Sequence, residues 1–144
     1  MCFFYRGGLV ATIKIVIAGS RHYNDYEEAK SFIDRCISNI RKDHTIIIVS
    51  GGCHGADKLG EIYAEENSFE VIRFLPDWKK YGKSAGPRRN KLMAEASDYA
   101  ICFWDGKSRG TKSMIDFAKM HHRPLRIKRI YDSLSSDPPL KKEP

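Results

Sequence analysis

Hydrophobic and polar residues alternate along this chain in blocks that predict strands and helices in turn. Short runs rich in β-branched and aromatic residues are typical of buried strands, and they cover residues 13–18, 45–49, 70–74, 99–104 and 124–127. Between them, apolar residues recur with helical spacing at residues 25–42, 56–67, 86–96 and 111–121. Since right-handed crossovers join parallel strands, the alternation predicts a single-domain α/β fold. This is a doubly wound, Rossmann-like parallel sheet of about five strands with helices on both faces.

The two ends of the chain lack this alternation. Residues 1–12 contain an apolar run too short to span a membrane, and they lack the basic start and apolar core of a secretion signal. We therefore expect an N-terminal extension or an extra edge segment there. Residues 129–144 end in a stretch rich in Ser, Pro and charge, which predicts a flexible tail after a domain of residues 13–128.

Composition limits the class of protein, but it does not identify the ligand. The 144 residues suit one compact domain, and the formal net charge of +7 is compatible with an anionic partner or simply with a solvated basic surface. Four cysteines without C-x-x-C spacing predict neither a zinc site nor a disulfide framework, which favours a cytoplasmic location. No metal is expected, because His121 and His122 have no evident third ligand.

Three glycine-rich turns, each between a predicted strand and a predicted helix, carry the candidate chemistry. In a parallel sheet such turns gather at the carboxyl edge, where backbone N–H groups and helix N-termini suit a phosphate. We therefore predict an anion pocket for a nucleotide-derived small molecule. The candidate binding residues are Gly19, Ser20, Arg21, Ser50, Gly51, Gly52, Asp57, Arg89, Asn90, Asp105, Gly106, Ser108, Gly110 and Thr111.

Several of these residues have a second interpretation. The turn at residues 105–111 offers hydroxyls and cations to a phosphate, but it lacks Walker A spacing, which argues against NTP hydrolysis of that type. Asp57 either accepts from a ribose hydroxyl or complements a helix dipole. Arg21 either binds an anion or pairs with Asp25. The dipole disfavours Arg89 in the first turn of its helix, so we expect an anionic ligand or a facing carboxylate there.

The segment of residues 75–85 is longer than a usual strand-to-helix connection. Polar and aromatic residues dominate it, which predicts a lid or wall over the pocket. Trp78 and Tyr81 either stack on a base or pack beneath the loop, and Lys83 lies beside them in the sequence.

Together these motifs resemble the SLOG superfamily, a Rossmann-like group that includes Smf-type DNA-processing proteins and Lonely-Guy phosphoribohydrolases. The chain is most similar to its YspA-like, YpsA-related branch over residues 13–127. The resemblance is carried by Gly19-Ser20-Arg21, Ser50-Gly51-Gly52 with Gly55-Ala56-Asp57, Gly86-Pro87-Arg88-Arg89-Asn90 with Met93, and Asp105-Gly106 with Ser108, Gly110 and Thr111.

The resemblance implies a nucleotide or nucleotide derivative as ligand, with no further cofactor. The leading hypothesis is a small sensor or sequestering protein that holds a phosphorylated nucleoside or an ADP-ribose-like molecule. A Lonely-Guy-like N-glycosidic hydrolase is an alternative, but Met114 stands where those enzymes have a catalytic glutamate, which argues against catalysis. The Smf-like spacing of Ser50, Gly51, Gly55 and Asp57 implies single-stranded DNA binding as a further alternative. Lonely-Guy relatives also imply a homodimer.

Overall fold

A six-stranded sheet forms the centre of the molecule. The computed structural model describes residues 2–5 and 8–131, and their side chains from residue 11 onward. The strands are β1 (Cys2–Tyr5), β2 (Gly8–Gly19), β3 (His44–Ser50), β4 (Glu70–Arg73), β5 (Tyr99–Trp104) and β6 (Leu125–Arg129). Strands β2 to β6 are parallel in the order β4-β3-β2-β5-β6, which confirms the five predicted strands. β1 adds an antiparallel sixth strand on β2, within the expected N-terminal extension.

Helices cover both faces of this sheet, as predicted. They are α1 (Tyr26–Ile37), α2 (Ile40–Asp43), α3 (Ala56–Glu66), α4 (Trp78–Tyr81), α5 (Ala85–Ala96) and α6 (Arg109–Met120), with a 3₁₀ turn at Gly82–Ser84. Alternation along β2 divides the core in two, since successive side chains point to opposite faces of a sheet. Ile15 and Ile17 pack beneath α1 and α3, whereas Val16 and Ala18 pack beneath α5 and α6.

The strand order places a topological switch between β2 and β5. From β2 the chain proceeds to β3 on one side, and from β5 it proceeds to β6 on the other. The register pairs Gly19 with Phe103, so both strands end at the same level of the sheet. In open α/β sheets the crevice beyond such a pair of strand ends is where ligands bind. The fold therefore leaves an opening at the carboxyl edge beside β2.

Three helix predictions differ from the structure at their boundaries. The helix expected over residues 25–42 ends at Ile37 and resumes as α2 at Ile40, and the break falls at Ser38 and Asn39, two residues of low helix propensity. α5 begins one residue early at Ala85, and α6 begins two residues early at Arg109. The long connection expected over residues 75–85 contains short helical structure, α4 and the 3₁₀ turn, which the prediction did not include.

The C-terminal boundary lies slightly beyond the predicted one. β6 continues to Arg129, and Ile130 is buried in the core with α1. Most of the expected flexible tail, residues 132–144, lies outside the described residues. Within the described part of the chain, no helix is both long enough and apolar enough to cross a bilayer.

Candidate functional site

A cleft of about 370 Å³ opens at the carboxyl edge of the sheet, at the switch between β2 and β5. Its size lies within the range typical of small-molecule sites, which is about 300–1,000 Å³. The β2–α1 turn, the β3–α3 turn, α5 and the start of α6 all contribute to it. The lining residues are Ala18, Gly19, Ser20, Arg21, His22, Cys53, Asp57, Arg89, Asn90, Met93, Asp105, Lys107, Ser108, Gly110, Thr111 and Met114.

The loop from β5 into α6 is held by its own side chains. The Asp105 carboxylate accepts hydrogen bonds from the backbone N–H groups of Lys107 and Ser108, both at 2.8 Å. The Trp104 indole donates to the Ser108 carbonyl at 3.1 Å. Ser108 is the N-cap of α6, because its hydroxyl accepts from the Thr111 N–H at 3.3 Å. The loop therefore presents the helix N-terminus in a fixed position.

The first turn of α6 is available to an anion. The earliest N–H groups of a helix have no acceptor within that helix, and the helix dipole favours negative charge there. Gly110 stands in this turn and lines the cleft, and a Cβ built on it would have no atom within 4 Å. The backbone at Gly110 is therefore open to a ligand from the cleft side.

Two glycines allow the β2–α1 turn and the start of α3 to lie against each other. A Cβ on Gly55, whose φ is +79°, would lie 2.2 Å from the Ser20 carbonyl oxygen. A Cβ on Gly19 would lie 2.3 Å from the Phe103 carbonyl oxygen. The close approach lets the Ala56 N–H donate to the Ser20 carbonyl at 3.1 Å. This hydrogen bond joins the two turns into one wall of the cleft.

Arg89 is buried and connects several of these elements. Its guanidinium donates to the Gly51 carbonyl at 2.5 Å and to the Phe74 carbonyl at 3.3 Å, and its Nε donates to the Asn90 side chain at 3.0 Å. Because α5 begins at Ala85, Arg89 lies in the second turn and not in the first turn predicted from the sequence. The guanidinium therefore supports the β3–α3 turn while adding positive charge to the cleft.

Asp57 is the buried carboxylate of the cleft. It lies in the first turn of α3, is 4% exposed, and accepts from the Cys53 N–H at 3.2 Å. Burial raises the pKa of Asp57 from 3.8 to about 6, although the Cys53 N–H and the Arg89 charge act in the opposite direction. Keeping this carboxylate ionised at neutral pH therefore opposes folding. A buried acid with a raised pKa in a cleft is typical of a functional group.

The structure brings most of the predicted site residues to this one cleft. The residues that line it are Gly19, Ser20, Arg21, Asp57, Arg89, Asn90, Asp105, Ser108, Gly110 and Thr111. Several of them also have structural partners; for example, Asn90 donates to the Gly110 carbonyl at 3.2 Å, and the Ser108 hydroxyl lies 3.0 Å from that of Thr111.

The other four predicted residues do not line the cleft. Ser50 is fully buried, and its hydroxyl donates to Glu61 at 2.7 Å. A Cβ on Gly51 would lie 2.5 Å from Arg89 Nη1, and a Cβ on the exposed Gly52 would lie 2.6 Å from Leu75 Cδ2. Gly106 faces Arg129, whose Nη2 would be 2.6 Å from a Cβ at that position. These four residues shape the turns but are not among the residues that line the cleft.

The predicted lid residues lie on an exposed surface outside the lining of the cleft. We define the basic-aromatic ledge as residues 78–83 with Arg88, which include Trp78, Lys79, Lys80, Tyr81 and Lys83. Arg88 lies 4.3 Å from the centroid of the Tyr81 ring. Trp78 is 50% exposed, and its ring edge would lie 3.4 Å from a Cβ at Gly86, so the side chain is half-buried against the start of α5.

Several lining residues were missing from the predicted set: Ala18, His22, Cys53, Met93, Lys107 and Met114. Met93 and Met114 are almost fully buried and form, with Ala18, an apolar floor. Helical periodicity assigns both methionines to the core. It also predicts that Leu92 faces inward, and this prediction is wrong, since Leu92 is 52% exposed. Only the similarity to the Lonely-Guy motif pointed to position 114 as part of a site.

A metal centre is not suggested by the geometry. Within residues 2–5 and 8–131, no three His, Cys, Asp or Glu side chains are grouped closely enough to hold an ion. Cys53 lines the cleft with its sulfur 3.8 Å from the Arg89 guanidinium. The ligand-binding chemistry available here is that of backbone N–H groups, hydroxyls and guanidinium and ammonium cations.

Comparison with known sequences identifies relatives for much of the chain. Residues 13–81 match the sequence profile of the YspA, cpYpsA-related SLOG family. The Gene 61 protein of Mycobacterium phage D29 is 31% identical over 106 residues, which cover 69% of this chain and 82% of the phage protein.

Two solved structures share the fold. DNA processing protein A from Streptococcus pneumoniae superposes with a TM-score of 0.64 at 19% identity, over 87% of this chain. The chain spans only 54% of that protein. DNA processing protein A from Helicobacter pylori, whose structure describes a single-stranded DNA binding mode, gives a TM-score of 0.62 at 21% identity. That match covers 84% of this chain and 68% of the Helicobacter chain.

Proposed function

The chain belongs to the YspA, cpYpsA-related SLOG family, and on that premise we propose that it binds a phosphorylated nucleoside or an ADP-ribose-like molecule in the cleft. In this role it acts as a sensor or sequestering protein. One observation carries the proposal. The open first turn of α6 and the cations Arg21, Arg89 and Lys107 meet above an apolar floor at the switch point.

The division of polar and apolar groups suits a nucleotide. A phosphate at the first turn of α6 accepts from backbone N–H groups and neutralises the cations beside it. The apolar floor accommodates the faces of a ribose or base, and the Asp57 carboxylate is an acceptor for a sugar hydroxyl. The N-terminus of α1 is capped by Asp25, which accepts from the Glu28 N–H at 3.0 Å, and neither residue lines the main cleft. These features favour α6 as the phosphate site.

Calorimetric titration with adenosine, AMP, ADP and ADP-ribose tests the proposal. We expect the phosphorylated compounds to bind and adenosine to bind at least tenfold more weakly, because the α6 site recognises the phosphate. Silence across the whole panel would refute the proposal. Chromatography of the same mixtures tests the alternative of an N-glycosidic hydrolase, since cleavage of AMP would release free adenine.

A pair of charge-removing variants locates the phosphate. Lys107, in the loop before α6, lines the cleft, whereas Lys112 on α6 pairs with Asp116 at 2.9 Å and does not line it. We expect Lys107→Met to weaken AMP binding about fivefold, which corresponds to roughly 1 kcal/mol for an exposed charge pair. Lys112→Met should leave the affinity unchanged. Equal losses in both variants would indicate only a long-range charge effect.

Gly110→Ala is a stricter test, because the fold and the site should respond in opposite directions. The new methyl group has room, and alanine is favoured over glycine in a helix by up to about 1 kcal/mol. The free energy of unfolding should therefore stay the same or rise, while AMP binding weakens at least tenfold. Unchanged binding by this well-folded variant would exclude the α6 turn as the phosphate site.

The basic-aromatic ledge supports a second candidate function, the binding of single-stranded nucleic acid. Residues 77–84 are all exposed, and they interleave three lysines with Trp78 and Tyr81. Aromatic side chains stack on successive bases, and each stacked base contributes about 1–3 kcal/mol. Lysines beside them neutralise phosphates, which makes binding fall steeply with salt. The ledge has both features of a surface that binds single strands.

Fluorescence anisotropy with a labelled oligothymidylate tests this candidate. We expect Trp78→Ala to weaken binding about tenfold, whereas Leu92→Ala, which alters an equally exposed apolar residue on α5, should have no effect. Absence of binding to the unaltered protein at low salt would exclude the nucleic-acid function. If AMP does not compete with the oligonucleotide, the ledge and the cleft are independent sites.

A further inference from the structure

A second cleft, of about 280 Å³, lies on the opposite face of the sheet edge from the main cleft. It opens between the start of α1 and the end of β6, and its lining residues are Ser20, His22, Tyr23, Asn24, Asp25, Glu28, Lys128, Arg129, Ile130 and Tyr131. Ser20 and His22 also line the main cleft. The β2–α1 turn is therefore a shared wall, with one cleft on each side of it.

Arg129 provides a second connection between the two clefts. Its guanidinium lies against the backbone of Gly106, in the loop that precedes the first turn of α6. The same guanidinium lies 5.9 Å from the centroid of the Tyr131 ring, in the second cleft. From phosphate groups bound at the start of α6, the Arg129 guanidinium is therefore the next group in the direction of α1. The exposed Tyr131 ring lies beyond it.

The second cleft differs from the main cleft in its chemistry. Its carboxylates, Asp25 and Glu28, stand opposite Lys128 and Arg129, so the charges are balanced. Asp25 caps α1, and Glu28 accepts from the Tyr23 hydroxyl at 2.7 Å with Lys128 Nζ 4.0 Å away. Balanced charge does not favour a phosphate. Carboxylate oxygens instead suit ribose hydroxyls, and Tyr131, which is 46% exposed, offers a face on which a ring stacks.

We propose that the physiological ligand has two ribosyl units joined through phosphate, and that the second unit occupies the cleft lined by Glu28 and Tyr131. This inference rests on the proposed function of the main cleft, since the first unit and the phosphates bind there. Ser20 is buried in the shared wall, and the linking phosphates pass from one cleft to the other over the exposed His22, which lines both.

The test compares AMP with two probes that contain a second ribosyl unit. The probes are ADP-ribose, with a 5′–5′ pyrophosphate linkage, and the 5′-phosphorylated adenylyl dinucleotide pApA, with a 3′–5′ linkage. We expect at least one of them to bind tenfold or more tightly than AMP. If ADP-ribose binds more tightly than pApA, the ligand has a pyrophosphate linkage between its two ribosyl units. If pApA binds more tightly, the linkage is the 3′–5′ linkage of nucleic acids.

Variants then assign the gain in affinity to the second cleft. Glu28→Gln keeps an oxygen for the Tyr23 hydroxyl, and Tyr131→Ala removes the exposed ring. We expect each to reduce the advantage of the larger probe over AMP to threefold or less, with AMP affinity unchanged. Glu27→Gln is the matched control, because Glu27 is an exposed neighbour on α1 that does not line the cleft. Thermal unfolding of each variant verifies that it is folded.

The outcomes separate this inference from the proposed function. If AMP binds but neither larger probe binds more tightly, the second cleft is not part of the site and the proposed function stands. Equal loss of AMP and of the larger probe in Glu28→Gln would likewise overturn the inference. If none of the three compounds binds, both the inference and the proposed function fail.

Discussion

The replacement of Asp57 by asparagine is the perturbation with the clearest physical consequence. The carboxylate is 4% exposed, and burial raises its pKa from 3.8 to about 6. Asparagine has nearly the same shape, and its side-chain oxygen still accepts from the Cys53 N–H. The variant therefore removes the buried charge with little change in packing. We expect Asp57→Asn to be more stable than the unaltered protein at pH 8.

The size and the sign of the effect follow from proton linkage. Each pKa unit corresponds to 1.36 kcal/mol, so the rise from 3.8 to about 6 amounts to about 3 kcal/mol. Because the folded pKa lies above the unfolded one, the folded state binds the proton more tightly. The stabilisation is fully present below pH 3.8 and is lost as the pH rises through 6. Asp57→Asn should therefore gain up to about 3 kcal/mol over the unaltered protein at pH 8, but little at pH 4.

Urea unfolding at intervals between pH 4 and pH 8 measures this difference directly. Subtracting the two proteins at each pH cancels the titration of all other groups. Asp116→Asn is the control, because Asp116 is an exposed carboxylate that pairs with Lys112, and it should change stability by no more than about 0.5 kcal/mol at any pH. A difference between Asp57→Asn and the unaltered protein that does not vary with pH would refute the argument.

Three further variants test the elements that build the cleft. Gly55→Ala combines a positive φ with a clash against the Ser20 carbonyl, so we expect a loss of at least about 2 kcal/mol in urea unfolding; a neutral effect would contradict the close approach of the two turns. Phe103→Ala should lose about 3–5 kcal/mol, because the ring is fully buried and stacks on Tyr23 at 5.0 Å; a loss below 1 kcal/mol would argue against that packing. Ser108→Ala removes the cap of α6 and should lower stability by about 1 kcal/mol and weaken AMP binding but not adenosine binding; equal weakening of both would contradict a phosphate at α6.

Local patterns in the sequence were sufficient for the sheet and for most of the helices. A run such as residues 99–104 is short, apolar and rich in residues that favour strands, so its conformation depends little on distant contacts. Boundaries were less accurate. The break between α1 and α2 falls at Ser38 and Asn39, two residues of low helix propensity, which the periodicity of apolar residues does not detect. The extension of β2 back to Gly8 depends on pairing with β1, which no pattern inside residues 8–12 reveals.

The sequence predicted the location of the candidate site in the fold better than it predicted which residues line the cleft. Glycines between strands and helices indicate where the backbone turns sharply, and parallel strands bring such turns to one edge. The glycines therefore led to the edge at which the cleft opens, even though Gly51 and Gly106 lie against arginine side chains and do not line it. Which residues face the cleft depends on which side chains stand in front of them, and that is a property of packing.

The sequence alone determined the succession of strands and helices along the chain, because periodicity and backbone preference act within short stretches. It also determined that the glycine-rich turns meet at one edge of the sheet, because each turn follows a strand. The tertiary structure decided the remainder. Burial raises the pKa of Asp57, so its ionisation opposes folding. Packing also places Met93 and Met114 at the floor of the main cleft and Ser20 between the two clefts. Each of these depends on the distance between residues far apart in the chain, and only packing sets that distance.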